Sequence, residues 1–492
     1  MGDSHLYSRF LSGEMSSSWM NSGKTRYMKD MLGVRHIQCV LLAGALLVNH
    51  VQQGNIGISA VAMTNQDHKT DQTYDWKTDQ VTMSKGSYFY SVMISCFLSG
   101  YLTTKLDGKM MLLISTFIGT FLTYITPTLI RNYDWNIFFF IRLMQGAAKG
   151  FIRPLVYSQL VRWMPPDELM LIGPVVLSSV YLGNAIILMM GGYLSTGQGG
   201  WPSIFYFSGN IGFIWCLAYI GLGSQSPNSC FYISVYERRY IEQSLPFAIR
   251  TTYRDYIPWK AIFTCLPVYV LMITQAANNY ASQSFIKIIP MFYQHSLGLD
   301  VKLVGLVMGL PFLVGCFVVY TTYFVMKFLI KRKQLNHSEA HHIFNGIGQF
   351  GAFYFFMYCA FASNYYLSFS FHCIGMLLGS FQFNGFYMNY IDLSPNYVGL
   401  VAGFVVGCAH ITSILGPFIS FTLYKYHEED SDSPQSALRA KEAIYFFIAM
   451  FFLWSGIMWE LLGSTKVQPF NDIRENEDVK EKHFHESEVI KI

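Results

Sequence analysis

The chain has 492 residues, of which 52% are hydrophobic and 13% charged, with a net charge of +4 and a mean hydropathy of +0.30. Soluble domains carry roughly a quarter charged residues, so this composition excludes one and points to an all-α, multi-pass membrane protein. No GxxxxGK[ST] phosphate loop, nucleophile–base arrangement or metal-ligand cluster occurs, which argues against an enzyme, a bound cofactor or a nucleic-acid partner.

The N-terminal stretch 1–35 is polar, rich in Ser and Met, and lacks the apolar core of a cleavable signal. Beyond it, apolar runs of spanning length, about 20 residues each, recur between islands of charge. They predict twelve spans near 37–62, 86–104, 109–130, 136–161, 169–194, 203–223, 262–286, 302–326, 342–362, 365–388, 397–424 and 442–463. The polar segment 224–261 divides them into six-helix bundles over 36–223 and 262–464, followed by a charged tail, 465–492. Two such bundles point to a transporter with its site at mid-depth between them.

Lys24, Arg26, Lys29 and Arg35 precede the first span, and Lys105, Lys109, Arg162, Arg238, Arg239, Lys327 and Lys331 fall on the same side. Acids concentrate opposite, at Asp67, Asp71, Asp75 and Asp79 and at Glu428 to Asp432. By the positive-inside rule both termini are expected in the cytoplasm. Asn336-His-Ser338, a glycosylation pattern, would then face the cytoplasm and go unused. Eight of the nine cysteines lie inside apolar runs and none has CxxC spacing, so free thiols are expected.

The most informative span is the fourth, Trp135 to Val161, which holds Arg142, Lys149 and Arg153 and no acid. On one continuous helix these positions fall within about 40° of one another. A cation at mid-bilayer costs on the order of 2.5–3.5 kcal/mol on insertion scales, so three on one stripe suggest an aqueous cavity that an anion enters. The competing reading has Arg153 snorkelling outward and Arg142 tied to neighbouring carbonyls.

Specific motifs carry a family resemblance. They include Asn55-Ile-Gly-Ile-Ser-Ala-Val-Ala-Met63, Gly86-Ser-Tyr-Phe89, Gly108-Lys109, and a block from Arg142 through Trp163-Met-Pro-Pro166 and Gly200-Trp-Pro-Ser-Ile-Phe-Tyr206 to Glu237 and Tyr240-Ile241. Asp392-Leu-Ser-Pro-Asn-Tyr397 closes span ten. Over most of 35–425 the chain resembles the anion-transporting solute carriers of the major facilitator superfamily: sialin, the vesicular glutamate transporters and the sodium–phosphate cotransporters. The resemblance implies movement of a small anion driven by protons, sodium or membrane potential, in a plasma, endolysosomal or vesicular membrane.

It also implies site positions, several of them altered here. The span-four arginine is kept as Arg142, and the next motif position is Gln145. The acid that the family appears to need for coupling is replaced by Lys149. Gln53 stands where the family has a span-one arginine, Lys85 where glutamate transporters have a histidine, and Asn278 where they have a span-seven arginine, next to Asn279. The family's acid-Arg-Ser after the paired prolines becomes Glu168-Leu169-Met170, which puts that gate contact in question.

An anion is therefore expected between Arg142 and Lys149, about 10 Å apart along a helix axis, with Arg153 and Lys85 adding charge and Gln53, Asn55, Gln145, Asn278 and Asn279 neutral hydrogen bonds. Lys149, His50 and His410 are the candidates for proton coupling, although both histidines read first as core residues bonded to backbone or hydroxyl. The expected function is a secondary transporter of carboxylate- or phosphate-type anions. The alternatives are a binding-only receptor and an uncoupled facilitative carrier.

Overall fold

The computed structural model describes residues 32–64, 78–132, 135–245, 257–287, 289, 300–429 and 434–472. Among them all regular structure is helical. Before the central segment come α1 (Val34–Thr64), α2 (Thr78–Leu102), α3 (Gly108–Asn132), α4 (Trp135–Lys149), α5 (Ile152–Trp163), α6 (Pro166–Ser195) and α7 (Pro202–Leu222). That segment carries α8 (Val235–Ser244), and α9 (Trp259–Phe263) leads into the second half. There follow α10 (Leu266–Lys287), α11 (Val301–Lys331), α12 (His337–Phe361), α13 (Tyr365–Gly379), α14 (Phe386–Leu393), α15 (Val398–Glu429) and α16 (Pro434–Leu462). Most of the acids placed opposite the basic loops, and the side chains of Lys85 and Lys287, lie outside the described residues.

Local chemistry sets the helix starts. Pro166 and Pro202 open α6 and α7, where a missing N–H costs nothing. Asn336 caps α12 through a reciprocal bond with Glu339, and the Asn364 side chain accepts from the backbone N–H of Tyr366 and Leu367 to start α13. Asn336 of the glycosylation pattern thus serves as a helix cap.

Among the described residues, seven helices are long and apolar enough to cross a bilayer by length and composition alone: Val34–Gly57, Gly108–Arg131, Pro166–Ser195, Pro202–Leu222, Val301–Lys331, Val398–Gly416 and Lys441–Leu462. The remaining long helices pack among them. In α7, Ser208, Gly209, Gly212 and Cys216 turn inward while Ile214 and Leu217 are 68% and 72% exposed, the division expected of a helix with one face to lipid.

Two expectations for the helices change. The cationic span is interrupted at Gly150-Phe151, between Lys149 and Arg153. Pro154 has no N–H for the Gly150 carbonyl, which instead accepts from Cys96 Sγ at 3.2 Å. Gly150 also presses on α2, where an added Cβ would stand 2.8 Å from the Val92 carbonyl and closer still to Ser95 Oγ. The tenth span is likewise broken: α13 ends at Gly379, a 3₁₀ turn covers Ser380–Asn384, and Gly385 (φ −115°, ψ −114°) resets the chain into α14. The aromatic runs Phe138–Phe140 and Tyr354–Phe356, whose composition suggests lipid-facing packing, each bury one ring, Phe138 and Phe356, at 1% exposure.

The halves meet on both sides of mid-depth. At the end nearer the central segment, α2 and α15 cross where an added Cβ on Gly403 would stand 2.6 Å from both the Cys96 carbonyl and Gly100 Cα. There Tyr157 of α5 also donates to the Tyr387 carbonyl at 3.0 Å. At the opposite end α6 meets α11 through Gly192 and Gly305, each leaving no room for a methyl group.

Arg35, expected in a basic loop, is instead 1% exposed at the start of α1. Its Nε lies 2.7 Å from Glu168 Oε2 on α6 and its Nη1 3.1 Å from Glu237 Oε1 on α8. Glu237 also accepts from the backbone N–H of Val34 and Arg35, both at 3.1 Å, and so caps α1 from two hundred residues away. Tyr240 donates to Glu168 Oε1 at 2.8 Å, and burial together with that carboxylate raises the phenol above its ordinary range. Glu168 therefore keeps a structural ion pair despite the altered motif around it.

Candidate functional site

Between the two closures lies a cavity with about 910 Å³ of empty space, open solvent at its mouth included. From the first half it is lined by Asn49, His50, Gln53, Tyr88, Lys149 and Arg153. From the second it takes Asn278, Asn279, Gln283, Phe356, Tyr387 and His410, among others. No Asp or Glu stands among the described residues that line it.

The three cations of the fourth span do not share one environment. Arg153, just beyond the helix break, is part-exposed in the cavity and acts electrostatically on His50, Tyr157 and Tyr387. Lys149 is 3% exposed and donates to Gln52 Oε1. Its stem runs against Gly119 of α3, where an added Cβ would meet Cε at 2.5 Å, so much of the side chain is inside the first half. Gln52 in turn donates to Thr120 Oγ1 and the Ser208 carbonyl, both at 3.0 Å.

Arg142 is fully buried behind Tyr88, with its guanidinium carbon 4.9 Å from that ring's centroid. One nitrogen donates to Gln145 Oε1 at 3.0 Å, while Nε and Nη2 have no partner. Gln145 reaches Thr123 and Thr126 of α3, and Asn55 donates to Ser208 Oγ at 3.4 Å, so these side chains lie behind the cavity wall. Among the described residues no ion pair joins Arg142, Lys149 or Arg153 to an acid.

The second half presents amides. Asn278 donates to Gln382 Oε1 at 2.7 Å, and Gln275 donates to Asn279 Oδ1 at 2.9 Å. His50 Nδ1 lies 2.9 Å from the Leu46 carbonyl and His410 Nδ1 3.2 Å from Ser413 Oγ, the bonds of core histidines, although both rings border the cavity. Of the expected site residues, the structure thus brings Gln53, Lys149, Arg153, Asn278, Asn279, His50 and His410 to one cavity. It sets Arg142, Gln145 and Asn55 behind its wall.

Sequence reading missed Gln52, one position from Gln53 and so about 100° around the helix. It also missed Tyr88, which screens Arg142, and Gln382 in the broken tenth span. A glycine at each end of Gly379-Ser-Phe-Gln-Phe-Asn-Gly385 was the available signal for that break.

Residues 42–417 match the Major Facilitator Superfamily. The chain belongs to that superfamily. Its fold agrees: the proton:xylose symporter bound to 6-bromo-6-deoxy-D-glucose superimposes with a TM-score of 0.65 over 89% of this chain and 98% of that one, at 12% identity. A bacterial homologue of the human lysosomal transporter Spinster, inward-facing and unoccupied, gives 0.60 over 88% and 97%, also at 12% identity. This is a transporter fold and not that of a catalytic enzyme.

Among similar sequences, a putative inorganic phosphate cotransporter of Drosophila melanogaster is 25% identical over 455 residues, covering 87% of this chain and 84% of the relative. Human sialin is 25% identical over 402 residues, covering 82% and 79%. Mouse vesicular glutamate transporter 2 is 23% identical over 468 residues, covering 92% and 78%. The chain resembles this anion-transporter group as a whole at identities that single out no member.

Proposed function

We propose that the chain is a secondary transporter of small carboxylate- or phosphate-bearing anions that works by alternating access. The observation that carries this reading is the cavity's charge: Arg153 and Lys149 on its wall, amides facing them, and no carboxylate among its described lining residues. Such a wall attracts an anion and repels a cation. Arg153 offers a planar fork to carboxylate or phosphate oxygens, Lys149 a point charge, and Gln53, Asn278 and Asn279 orient the ligand through neutral bonds. Arg142 joins the site when Tyr88 swings aside, because two of its nitrogens are already unpartnered. The names of the similar proteins, a phosphate cotransporter and a glutamate transporter among them, support the same substrate class.

In this reading the chain spans the bilayer twelve times, in bundles 36–223 and 262–464, with the central segment and both termini on the cytoplasmic side. The test is uptake by proteoliposomes of labelled phosphate, glutamate and sialate, each with an imposed pH, sodium or voltage gradient. Saturable, gradient-dependent accumulation of one probe supports the proposal. Binding without flux supports a receptor, and flux indifferent to proton and sodium gradients a facilitative carrier.

A further inference from the structure

The second half contains a polar seam that the anion site does not use. On α12, His341, Asn345 and Gln349 recur every four residues and so share one face, each no more than 2% exposed. That face packs against the broken tenth span. An added Cβ on Gly385 would meet Asn345 Cβ at 2.7 Å, and His341 Nδ1 lies 3.3 Å from the Gly385 carbonyl. At the cavity end, Gln382 Oε1 accepts from both Asn278 at 2.7 Å and Gln349 at 3.1 Å. At the other end His341 Nδ1 stands 3.9 Å from Asp392 Oδ2, the only buried carboxylate of the second half among the described residues.

Along the seam lie buried atoms that make no hydrogen bond: Gln382 Nε2, Asn345 Nδ2 and Oδ1, Asn384 Oδ1, His341 Nε2 and Asp392 Oδ2. Native structures leave few such groups unpaired, and ordered water is their usual partner. A metal cation would want acceptors alone. Here donors and acceptors alternate, and water, which is both, fits the mixture. From Gln349 to His341 the face runs about 12 Å at 1.5 Å per residue, the length of a short file of waters.

We propose that the α12/α14 seam is a hydrated proton path, joining the anion cavity at Asn278 to a proton-loading pair, His341 and Asp392. The proton enters from cavity water at Asn278 and Gln382, passes along the water file and by way of His341 onto the Asp392 carboxylate, and returns by the same path, leaving the carboxylate charged again. The pair is surrounded by His337, whose ring stacks on His341 with centroids 4.4 Å apart, and by His342, which faces Glu460 of α16 at 3.5 Å. On the Tyr390 side stand Tyr157, ring centroids 5.0 Å apart, and Arg153, while α10 offers the neutral Gln275.

This inference rests on the transporter reading for its purpose but not for its test. In infrared difference spectra of the reconstituted full chain stepped between pH 5 and 9, wild type is expected to gain a carboxyl C=O band on acidification that Asp392→Asn lacks and His341→Gln shifts. Asn345→Leu, which plugs the file without touching the pair, should slow appearance of the band at least tenfold. Identical spectra and rates in all four proteins would overturn the proposal, whatever they transport. In the same vesicles, exchange of labelled phosphate should lose its pH dependence in Asp392→Asn and Asn345→Leu. A retained wild-type pH profile would likewise refute it. If the band behaves as expected but wild type exchanges no phosphate, glutamate or sialate, the function proposed above fails and the proton site stands.

Discussion

Replacing Glu237 by Ala removes one of the two carboxylates that hold Arg35. Arg35 is 1% exposed and would keep its bonds to Glu168 at 2.7 and 3.2 Å, but its Nη1 and the backbone N–H groups of Val34 and Arg35 would lose their acceptor. The Arg35 charge stays paired with Glu168, so the cost is that of a buried donor left without an acceptor, about 1–3 kcal/mol, together with about 1 kcal/mol for the lost helix cap. Glu237→Gln separates the two effects: it keeps an acceptor for the α1 N-terminus and removes only the charge. We expect Glu237→Ala to lower the melting temperature of the detergent-solubilised protein most and Glu237→Gln by less. Joint replacement of Arg35, Glu168 and Glu237 by Met should cost far less than the single losses added together, since an apolar cluster of similar volume leaves no charge stranded. Gly33→Ala should mimic Glu237→Ala, because its new methyl group would occupy the space of the Glu237 carboxyl. A melting temperature unmoved by Glu237→Ala would refute the reasoning, for it would mean that water already holds Arg35.

Four further outcomes concern the cavity and its wall. Arg153→Gln, which removes a charge-assisted bond of about 1.5–3 kcal/mol, should weaken uptake of the transported probe by roughly 10- to 150-fold, read as a rise in KM with the protein still at the membrane. Arg142→Ala should abolish uptake without loss of membrane insertion, and unaltered uptake would remove Arg142 from the site. Lys149→Glu places a carboxylate beside Arg142 and Gln52, and should change the pH dependence of uptake; Lys149→Met should leave the fold intact, checked by its melting temperature, because it removes a buried charge that has no acid partner.

Much of the architecture was legible because bilayer thickness fixes how long an apolar run must be. The motifs from Asn55 to Tyr397 placed the chain near its relatives, and some of their glycines mark close helix contacts: an added Cβ on Gly57 would stand 2.9 Å from the Ile286 carbonyl. What escaped was long-range or a matter of helix phase. Nothing near Arg35 announces Glu168 and Glu237, which lie 133 and 202 residues away. Gln53 and Gln52 are neighbours of one kind, yet one reaches the cavity and the other holds Lys149 inside the first half. The break at Gly150 was written in Pro154 four residues later. A continuous helix would have kept Arg142, Lys149 and Arg153 on one stripe; the interruption lets Arg153 alone of the three project into the cavity with part of its side chain open.

The cavity's two walls divide the chemistry unevenly, and this bears on how a ligand could drive the cycle. The first half supplies the cations Lys149 and Arg153, the second the amides Asn278, Asn279 and Gln283. With no acid among the described residues of the facing wall, those residues form no charge pair across the cavity. If Arg153 holds the proposed anion, its second set of bonds comes from the amides of α10 on the facing wall. A ligand shifts an equilibrium by no more than its difference in affinity for the two states, and here that difference lies in those amide contacts. Asn278→Ala together with Asn279→Ala should therefore leave initial anion capture largely to Arg153 and slow the turnover that follows. In proteoliposomes that is a fall in kcat larger than the rise in KM, the reverse of the pattern expected for Arg153→Gln. If both variants changed KM alone, the amides would be ordinary ligands of an already closed site, and closure would need another source of free energy.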